Sequence, residues 1–395
     1  MPKLSPHLKG LTGQPSFQIF ARARELEKQG RSVRHFELGD PDIDTPQEIT
    51  DAAIRSLQSG NTHYTPARGQ QDFLEAVQAT TSLSRGFRPD IDQLTVTTGA
   101  NAAIFYTIRA ICEPGGEILL PNPYFPTYLS AATLAGAVPV LYDLEPANNF
   151  SPNLSTIKSL INPRTRAVLI NSPSNPLGTV WSPMEIQSIY DIALENDLYL
   201  ISDEVYARMI YCANSSFSSP ATLDECKERV ILINSFSKTF AMTGWRIGVA
   251  IAPCDVSERI TLINSSVAAC VPGFIQDAAR AALGVPPDVT EKIYSTFRQR
   301  QIKLAQELTA SGFFDCQIPQ GSMYIFPLIK NAHSNSEDFA FHLLESAGIA
   351  CTPGSYFGSR GEGYLRFSCA GEDSDVVGLS ELIKEAANSH FTIAA

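Results

Sequence analysis

At 395 residues the chain exceeds what one hydrophobic core usually organises, so two domains are expected. Its formal net charge of -11 is dispersed, with neither a basic stripe nor an acidic tail, which argues against nucleic acid and anionic membranes as partners. The eight cysteines lie far apart without a Cys-x-x-Cys pair, so neither a metal site nor a disulfide framework is expected. The N-terminal stretch MPKLSPHLKG lacks the apolar core of a signal peptide and no apolar run approaches the length of a membrane span, so a cytoplasmic location is expected.

Residues up to about Pro15 are rich in Pro, Gly and Ser and read as an arm without a core of its own. Ser16 is placed to cap a helix running through Phe17, Ile19, Phe20, Ala23 and Leu26 at helical spacing and closed by Gly30. A short strand over Val33 to Leu38 meets the turn GDPDIDTP, Gly39 to Pro46, from which Thr45 would cap the next helix. In NTHYTPARG, Asn61 to Gly69, a tyrosine in a Pro/Gly loop is by itself a surface packing residue, and Arg68 is expected to be solvated.

Strands and helices then alternate, the signature of a mostly parallel sheet covered by helices on its faces. The strand Leu94 to Thr97 enters the helix Thr98 to Ile111 through Gly99. The first amides of such a helix lack internal partners, which makes the turn an anion site. There is no G-x-G-x-x-G, so a nicotinamide fingerprint is not supported. The strand Glu117 to Leu120 ends in PNPYFPTY, Pro121 to Tyr128, whose aromatics between prolines also suit a core. Ala167 to Ile170 runs into NSPSNPLG, locally a Pro/Gly turn, and Leu198 to Ile201 carries DEVY at its end. Ligands in open parallel sheets gather at strand C-termini, so Asp203 is a candidate from its place alone.

The apolar strand Val230 to Ile233 leads into SFSKTFAMTGWRIG, Ser235 to Gly248. Here Lys238 stands among small residues, with Ser235 and Ser237 before it and Arg246 after it, a cationic, hydroxyl-lined arrangement suited to a phosphate. The amine is then free for covalent work. A Schiff-base lysine beside a phosphate pocket is what a pyridoxal-phosphate enzyme needs. Beyond it come a strand over Gly248 to Ala252, a small uncharged segment from Ser265 to Phe274, and a long amphipathic helix through Ile293, Phe297, Leu304 and Leu308 that ends at Gly312 and joins the two domains. The remainder alternates short strands and helices: GSMYIFP around Tyr324, a helix near Phe339 to Leu344 stopped by Gly348, YLRFSCA over Tyr364 to Ala370, and a closing helix through Leu379 and Ile383.

N-P-x-G (Asn175 to Gly178), D-E-x-Y (Asp203 to Tyr206) and S-x-S-K with its following arginine stand in one order along nearly the whole chain, and in this the sequence resembles the class I aminotransferases, the aspartate aminotransferase family of fold type I. The resemblance implies an α/β fold with a mostly parallel central sheet and a smaller α+β domain. It implies an N-terminal arm over residues 1–15, a large cofactor domain over 46–286, and a small domain from 16–45 and 287–395. It further implies a homodimer moving an amino group between an L-amino acid and a 2-oxo acid, with pyridoxal 5'-phosphate as cofactor.

By the same resemblance Lys238 is the Schiff-base and proton-transfer lysine, Asp203 pairs with the cofactor's ring nitrogen, and Asn175 and Tyr206 donate to its ring oxygen. Arg246, Ser235, Ser237, the turn Gly99, Ala100 and Asn101, and Tyr64 of the other subunit hold the phosphate. Phe125 stacks on the cofactor ring, Gly39 passes over the substrate, and Arg366 grips the substrate's α-carboxylate in a two-pronged contact that lysine does not reproduce. Taken alone, Arg366 is an ordinary strand arginine.

Relatives specific for dicarboxylates carry a second cation, either an arginine in the segment matching Ser265 to Phe274 or a lysine just after the Gly99 turn. This chain has no basic residue in the first place and Asn101 in the second. A neutral or aromatic amino donor, met by Phe125, Tyr324 and Asn101, is expected, with Arg68 the residue able to overturn it. Two other outcomes stay open at this stage: elimination, decarboxylation, racemisation or oxidation on the same fold, and a non-catalytic sensor. The sensor requires a DNA-binding domain for which the residues before the first motif are too few.

Overall fold

A computed structural model describes residues 11, 13–211, 217–330 and 335–393, the stretch 388–393 as helical backbone only. The expected arm lies almost wholly outside these residues. The chain enters through the helix Ser16–Lys28 and the two-residue strand β1 (Arg34–His35), shorter than the strand expected over Val33 to Leu38. After the helices Gln47–Gln58 and Gln71–Arg85 come β2 (Leu94–Thr97), β3 (Glu117–Asn122), β4 (Val138–Asp143), β5 (Thr165–Asn171), β6 (Tyr199–Asp203), β7 (Val230–Ser235) and β8 (Gly248–Ile251).

These seven strands, β2 to β8, form one sheet in the order β2-β8-β7-β6-β5-β3-β4. Every pairing from β7 to β4 is parallel, and β8 alone runs antiparallel to its neighbours β2 and β7. The sheet is mixed and mostly parallel, as expected. Helices cover both faces, so central strands read as continuous apolar runs while the pleat still sends alternate side chains to opposite sides. Leu119, Val168, Ile170, Leu200 and Leu232 join one core; Ile118, Leu120, Leu169, Ile201, Ile231 and Ile233 join the other.

A separate core gathers Phe36 with Leu304, Phe314, Ile325, Leu343, Leu365, Phe367 and Ile383. It lies under the long helix Pro287–Ala310 and the short strands β9 (Phe314–Asp315), β10 (Tyr324–Ile325), β11 (Leu328–Ile329), β12 (Ile349–Ala350), β13 (Thr352–Pro353) and β14 (Leu365–Ser368). The chain's first strand returns here, since β1 pairs in parallel with β12. β14 lies between β10 and β13, antiparallel to both.

Two expected caps are not caps. Ser16 is already helical, preceded by Pro15, and Thr45 stands before Pro46 with its hydroxyl donating to the carbonyl of Ala241 (2.6 Å) and accepting from the Trp245 indole (2.9 Å). Both hydroxyls serve tertiary contacts, a competition local spacing does not reveal.

Candidate active site

The C-terminal ends of β2, β3, β5, β6 and β7 lie along one edge of the large sheet, and β8, being antiparallel, starts there. Pairing places Thr97 and Ser235 both opposite Gly248, and Asn171 opposite Asp203. Short loops leaving that edge carry the motif residues, so sheet register converts widely spaced sequence segments into one site.

At one end of this edge lies an anion cradle. Gly99 (φ +89) leads into the helix Ala100–Ile111, and a Cβ placed on it would stand 2.6 Å from Nη2 of Arg246. Only glycine admits that approach. Arg246, itself in the left-handed region (φ 55), donates through Nη1 to the carbonyl of Thr243 (2.9 Å). Ser235 Oγ donates to Ser237 Oγ (3.0 Å) and accepts from the Ser237 amide (3.1 Å). Hydroxyls, a guanidinium and a helix N-terminus thus converge on one volume.

Deeper along the edge, Asp203 is buried. Its Oδ2 accepts from the Tyr128 hydroxyl (2.6 Å) and its Oδ1 from the Val205 amide (3.2 Å), while Asn171 Nδ2 donates to its main-chain oxygen (3.0 Å). Burial raises its pKa to about 6, outweighing the Tyr128 and Val205 hydrogen bonds, which favour the ionised form. No cation pairs with this carboxylate among the described residues. Phe125 stands at the start of the helix Pro126–Ala135, edge-on to Tyr128 with ring centroids 5.6 Å apart.

Opposite, Lys238 Nζ donates to the carbonyl of Gly39. Gly39 lies so close to Tyr324 that a Cβ would fall 2.0 Å from the phenol oxygen. The Tyr324 and Tyr206 hydroxyls are 3.0 Å apart. Arg366 on β14 is buried and donates through Nη1 to Asn175 Oδ1 (3.2 Å) and through Nη2 to Thr352 Oγ1 (3.3 Å) and to the main-chain oxygen of Glu37. Its Nε is buried without a partner.

A cavity of about 520 Å³ joins these parts. Gly39, Ala100, Asn101, Phe125, Asn175, Asp203, Tyr206, Ser235, Ser237, Lys238, Arg246, Tyr324 and Arg366 all line it, with Gly99 immediately behind. Tyr64 is not brought in: it is 89% exposed on the chain surface. Arg68 is neither solvated nor in the cavity; its Nη1 donates to the carbonyls of Asp92 and Leu94 and to Ser257 Oγ, clamping the edge of the sheet. Tyr128, Asn171 and Phe17 line the cavity and were not singled out by sequence. Asn171 ends its strand in the same Asn-rich stretch as Asn175, a signal available in the sequence; nothing local marks the other two.

The profile of the class I and II aminotransferases matches residues 33–380. The chain belongs to that family. It is 33% identical over 362 residues to an aspartate aminotransferase of Geobacillus stearothermophilus, covering 90% of this chain and 92% of the relative. It is 36% identical over 370 residues to aromatic-amino-acid aminotransferase 2 of Thermococcus litoralis, covering 93% and 94%. Among solved structures, the aspartate aminotransferase from Thermus thermophilus with maleate matches with a TM-score of 0.92 at 30% identity, over 98% of this chain and 100% of that one. The aminotransferase is accordingly a pyridoxal-phosphate-dependent transferase of fold type I, acting on an amino acid and a 2-oxo acid.

The residues present fit that cofactor. The Gly99 cradle faces Arg246 where a phosphate needs room and positive charge, and Asp203 is a buried acid without a cationic partner, as a protonated ring nitrogen requires. The orphaned Nε of Arg366 leaves that buried cation with unmet donor capacity facing the same cavity.

Proposed function

We propose that this aminotransferase takes a neutral or aromatic L-amino acid as donor. The observation that carries the reading is the charge of the cavity wall: among the described lining residues the only basic side chains are Lys238, Arg246 and Arg366, each with a task of its own, and Asn101 stands on the first turn of the helix behind Gly99. Asp40 adds a negative charge to the wall, while Phe17, Leu38 and Phe125 add apolar surface. A distal carboxylate would be desolvated there without a partner, a cost of several kcal/mol, whereas an apolar side chain gains about 25 cal/mol per Å² buried. The names of relatives include both aspartate and aromatic aminotransferases and so leave the donor to this wall.

Pyridoxal 5'-phosphate, when bound, supplies an electron sink for the charge that develops as the donor's Cα loses its proton. Asp203 would hold a proton on the ring nitrogen, since a buried carboxylate favours a cation against it. Asn175, whose Oδ1 accepts from Arg366, keeps its Nδ2 to donate to the ring oxygen, and Tyr206 donates beside it. Ser235, Ser237, Arg246 and the amides of Ala100 and Asn101 would hold the phosphate. Lys238 Nζ, which donates to the Gly39 carbonyl at the cavity wall, would take the proton from the substrate's Cα. Arg366 orients the donor by its α-carboxylate.

The exposure of Tyr64 supports a homodimer in which it reaches the partner's phosphate site. A solution mass of twice one chain is the corresponding check. The separate cores support a large domain over 46–286 and a small one from 16–45 and 287–395. The seven described cysteines are all free, which suits a reducing cytoplasm, and no helix among the described residues is long and apolar enough to cross a membrane. The donor is tested by single-turnover spectra with aspartate, phenylalanine, leucine and alanine: phenylalanine or leucine is expected to react at least about tenfold more efficiently than aspartate, equivalent to about 1.4 kcal/mol, and the reverse order would overturn the reading.

A further inference from the structure

Every group that hydrogen-bonds the buried Arg366 guanidinium is neutral: Asn175 Oδ1, Thr352 Oγ1 and the main-chain oxygen of Glu37. Aromatic rings flank it, with the Tyr324 centroid at 4.5 Å and that of Phe357 at 4.9 Å. Burial lowers its pKa; Tyr324, then Tyr206, then the Glu37 carboxylate oppose that, and of these Glu37 is the carboxylic acid. How strongly Arg366 attracts a substrate carboxylate therefore depends on what else shares its field.

Glu37 is the acid placed to share it. Its side chain is buried, with Oε1 2.9 Å from Nδ1 of His35 and Oε2 without a hydrogen-bond partner. The imidazole's other nitrogen, Nε2, lies 3.2 Å from Glu27 Oε1 on the half-exposed face of the helix Ser16–Lys28. Side-chain contacts thus run from solvent through Glu27 and His35 to the Glu37 carboxylate, and the main-chain oxygen of the same Glu37 accepts from Arg366.

We propose that His35 and Glu37 are positioning residues for substrate binding: protonated His35 neutralises the Glu37 carboxylate and leaves the Arg366 charge undivided for the substrate's carboxylate, and loss of that proton weakens the grip. The inference rests on Arg366 being the carboxylate site. The groups facing His35 from neighbouring elements are Glu27, Asp375, whose Oδ2 accepts from the His35 amide (3.4 Å), and Arg34, which donates to the Asp375 carbonyl (3.0 Å). The Cys351 thiol, beside Glu37, is pushed up by burial and stays neutral. The Glu37 hydrogen bond first, then its charge and the Glu27 contacts, outweigh burial and raise the His35 pKa to about 9. Its folded pKa lies above the ordinary value, so the favourable form is complete at neutral pH and is lost as pH rises through about 9.

The test is calorimetric binding of 3-phenylpropionate, a carboxylate without an amine, to the holoenzyme at pH 7.5 and pH 10. From the lower to the higher pH the wild-type Kd is expected to weaken about 5- to 10-fold more than that of His35→Gln, which already binds weakly at pH 7.5. Any ionisation shared by both proteins cancels in the comparison. Glu37→Gln keeps the main-chain oxygen and removes the charge, so it should bind tightly at both pH values. Equal pH dependence in wild type and His35→Gln, or a Glu37→Gln protein that tracks wild type, would overturn the proposal. Undiminished binding by Arg366→Gln would instead remove the carboxylate site itself, a failure distinct from a flat pH profile.

Discussion

Asp203 at one end of the cavity and Arg366 at the other are both buried charges without an ionic partner among the described residues, but they are built differently. Asp203 sits at a strand end and draws one of its two hydrogen bonds from its own turn, the Val205 amide. Arg366 is held across the molecule, by Asn175 at 191 positions and Glu37 at 329 positions along the chain. The first site survives small movements of its surroundings because the sheet edge carries it. The second exists only when two cores are docked in register, so the substrate binding proposed at Arg366 would depend on their relative placement. A buried carboxylate and a buried guanidinium lining one cavity suit the proposed roles toward a cofactor ring nitrogen and a substrate carboxylate.

The largest effects should come from the sheet edge. Lys238→Ala is expected to lower turnover by at least about 10⁴-fold while the unfolding midpoint moves by only a few degrees, because the amine packs no core and the variant would lose the Schiff-base and proton-transfer roles proposed for it. Multiple turnovers at near wild-type rate would remove Lys238 from the chemistry. Asp203→Ala should cost about 10³-fold in kcat with a far smaller loss of cofactor affinity, read from equilibrium dialysis. Loss of affinity alone would mean that Asp203 anchors rather than activates.

At the other end, Arg366→Lys is expected to lower kcat/KM by about 10²-fold, mostly through KM. A lysine keeps the charge but not the planar pair of donors, and loses the stacking on Tyr324 and Phe357. If kcat fell with KM unchanged, the two ends would not be the separate binding and chemical sites described above. The smallest effect should come from Tyr128→Phe. Its hydroxyl favours the ionised form of Asp203, so its removal should raise that carboxyl further above about 6 and move the acid limb of cofactor affinity to higher pH, with a several-fold loss near neutrality. An unmoved limb would show that the Tyr128 bond is only packing.

Much of this was legible in the sequence where chemistry and chain position coincide. The strands ending near Asn171, Asp203 and Ser235 announce themselves as apolar runs because both faces of the sheet are covered, and the motifs follow each strand within a few residues. The strand Val138–Asp143 was not anticipated. It is an edge strand of the sheet and contains Pro139, which demotes a strand reading even though Val138, Val140, Leu141 and Tyr142 are apolar. Arg68 was misjudged because its partners are main-chain carbonyls at Asp92 and Leu94, and backbone acceptors leave no trace in residue identity.

By itself, then, the sequence determined the alternation that makes a mostly parallel sheet and marked Lys238, Asp203, Asn175, Arg246 and Arg366, which the fold gathers around one cavity, because covalent order and residue chemistry are local properties. The tertiary structure decided that Tyr128 bonds Asp203, that Phe17 and Asp40 colour the cavity wall, and that Glu37 and His35 stand behind Arg366. Those contacts depend on how two cores dock and on which atoms burial deprives of water, and distance through space along a folded chain is not a function of distance along its sequence.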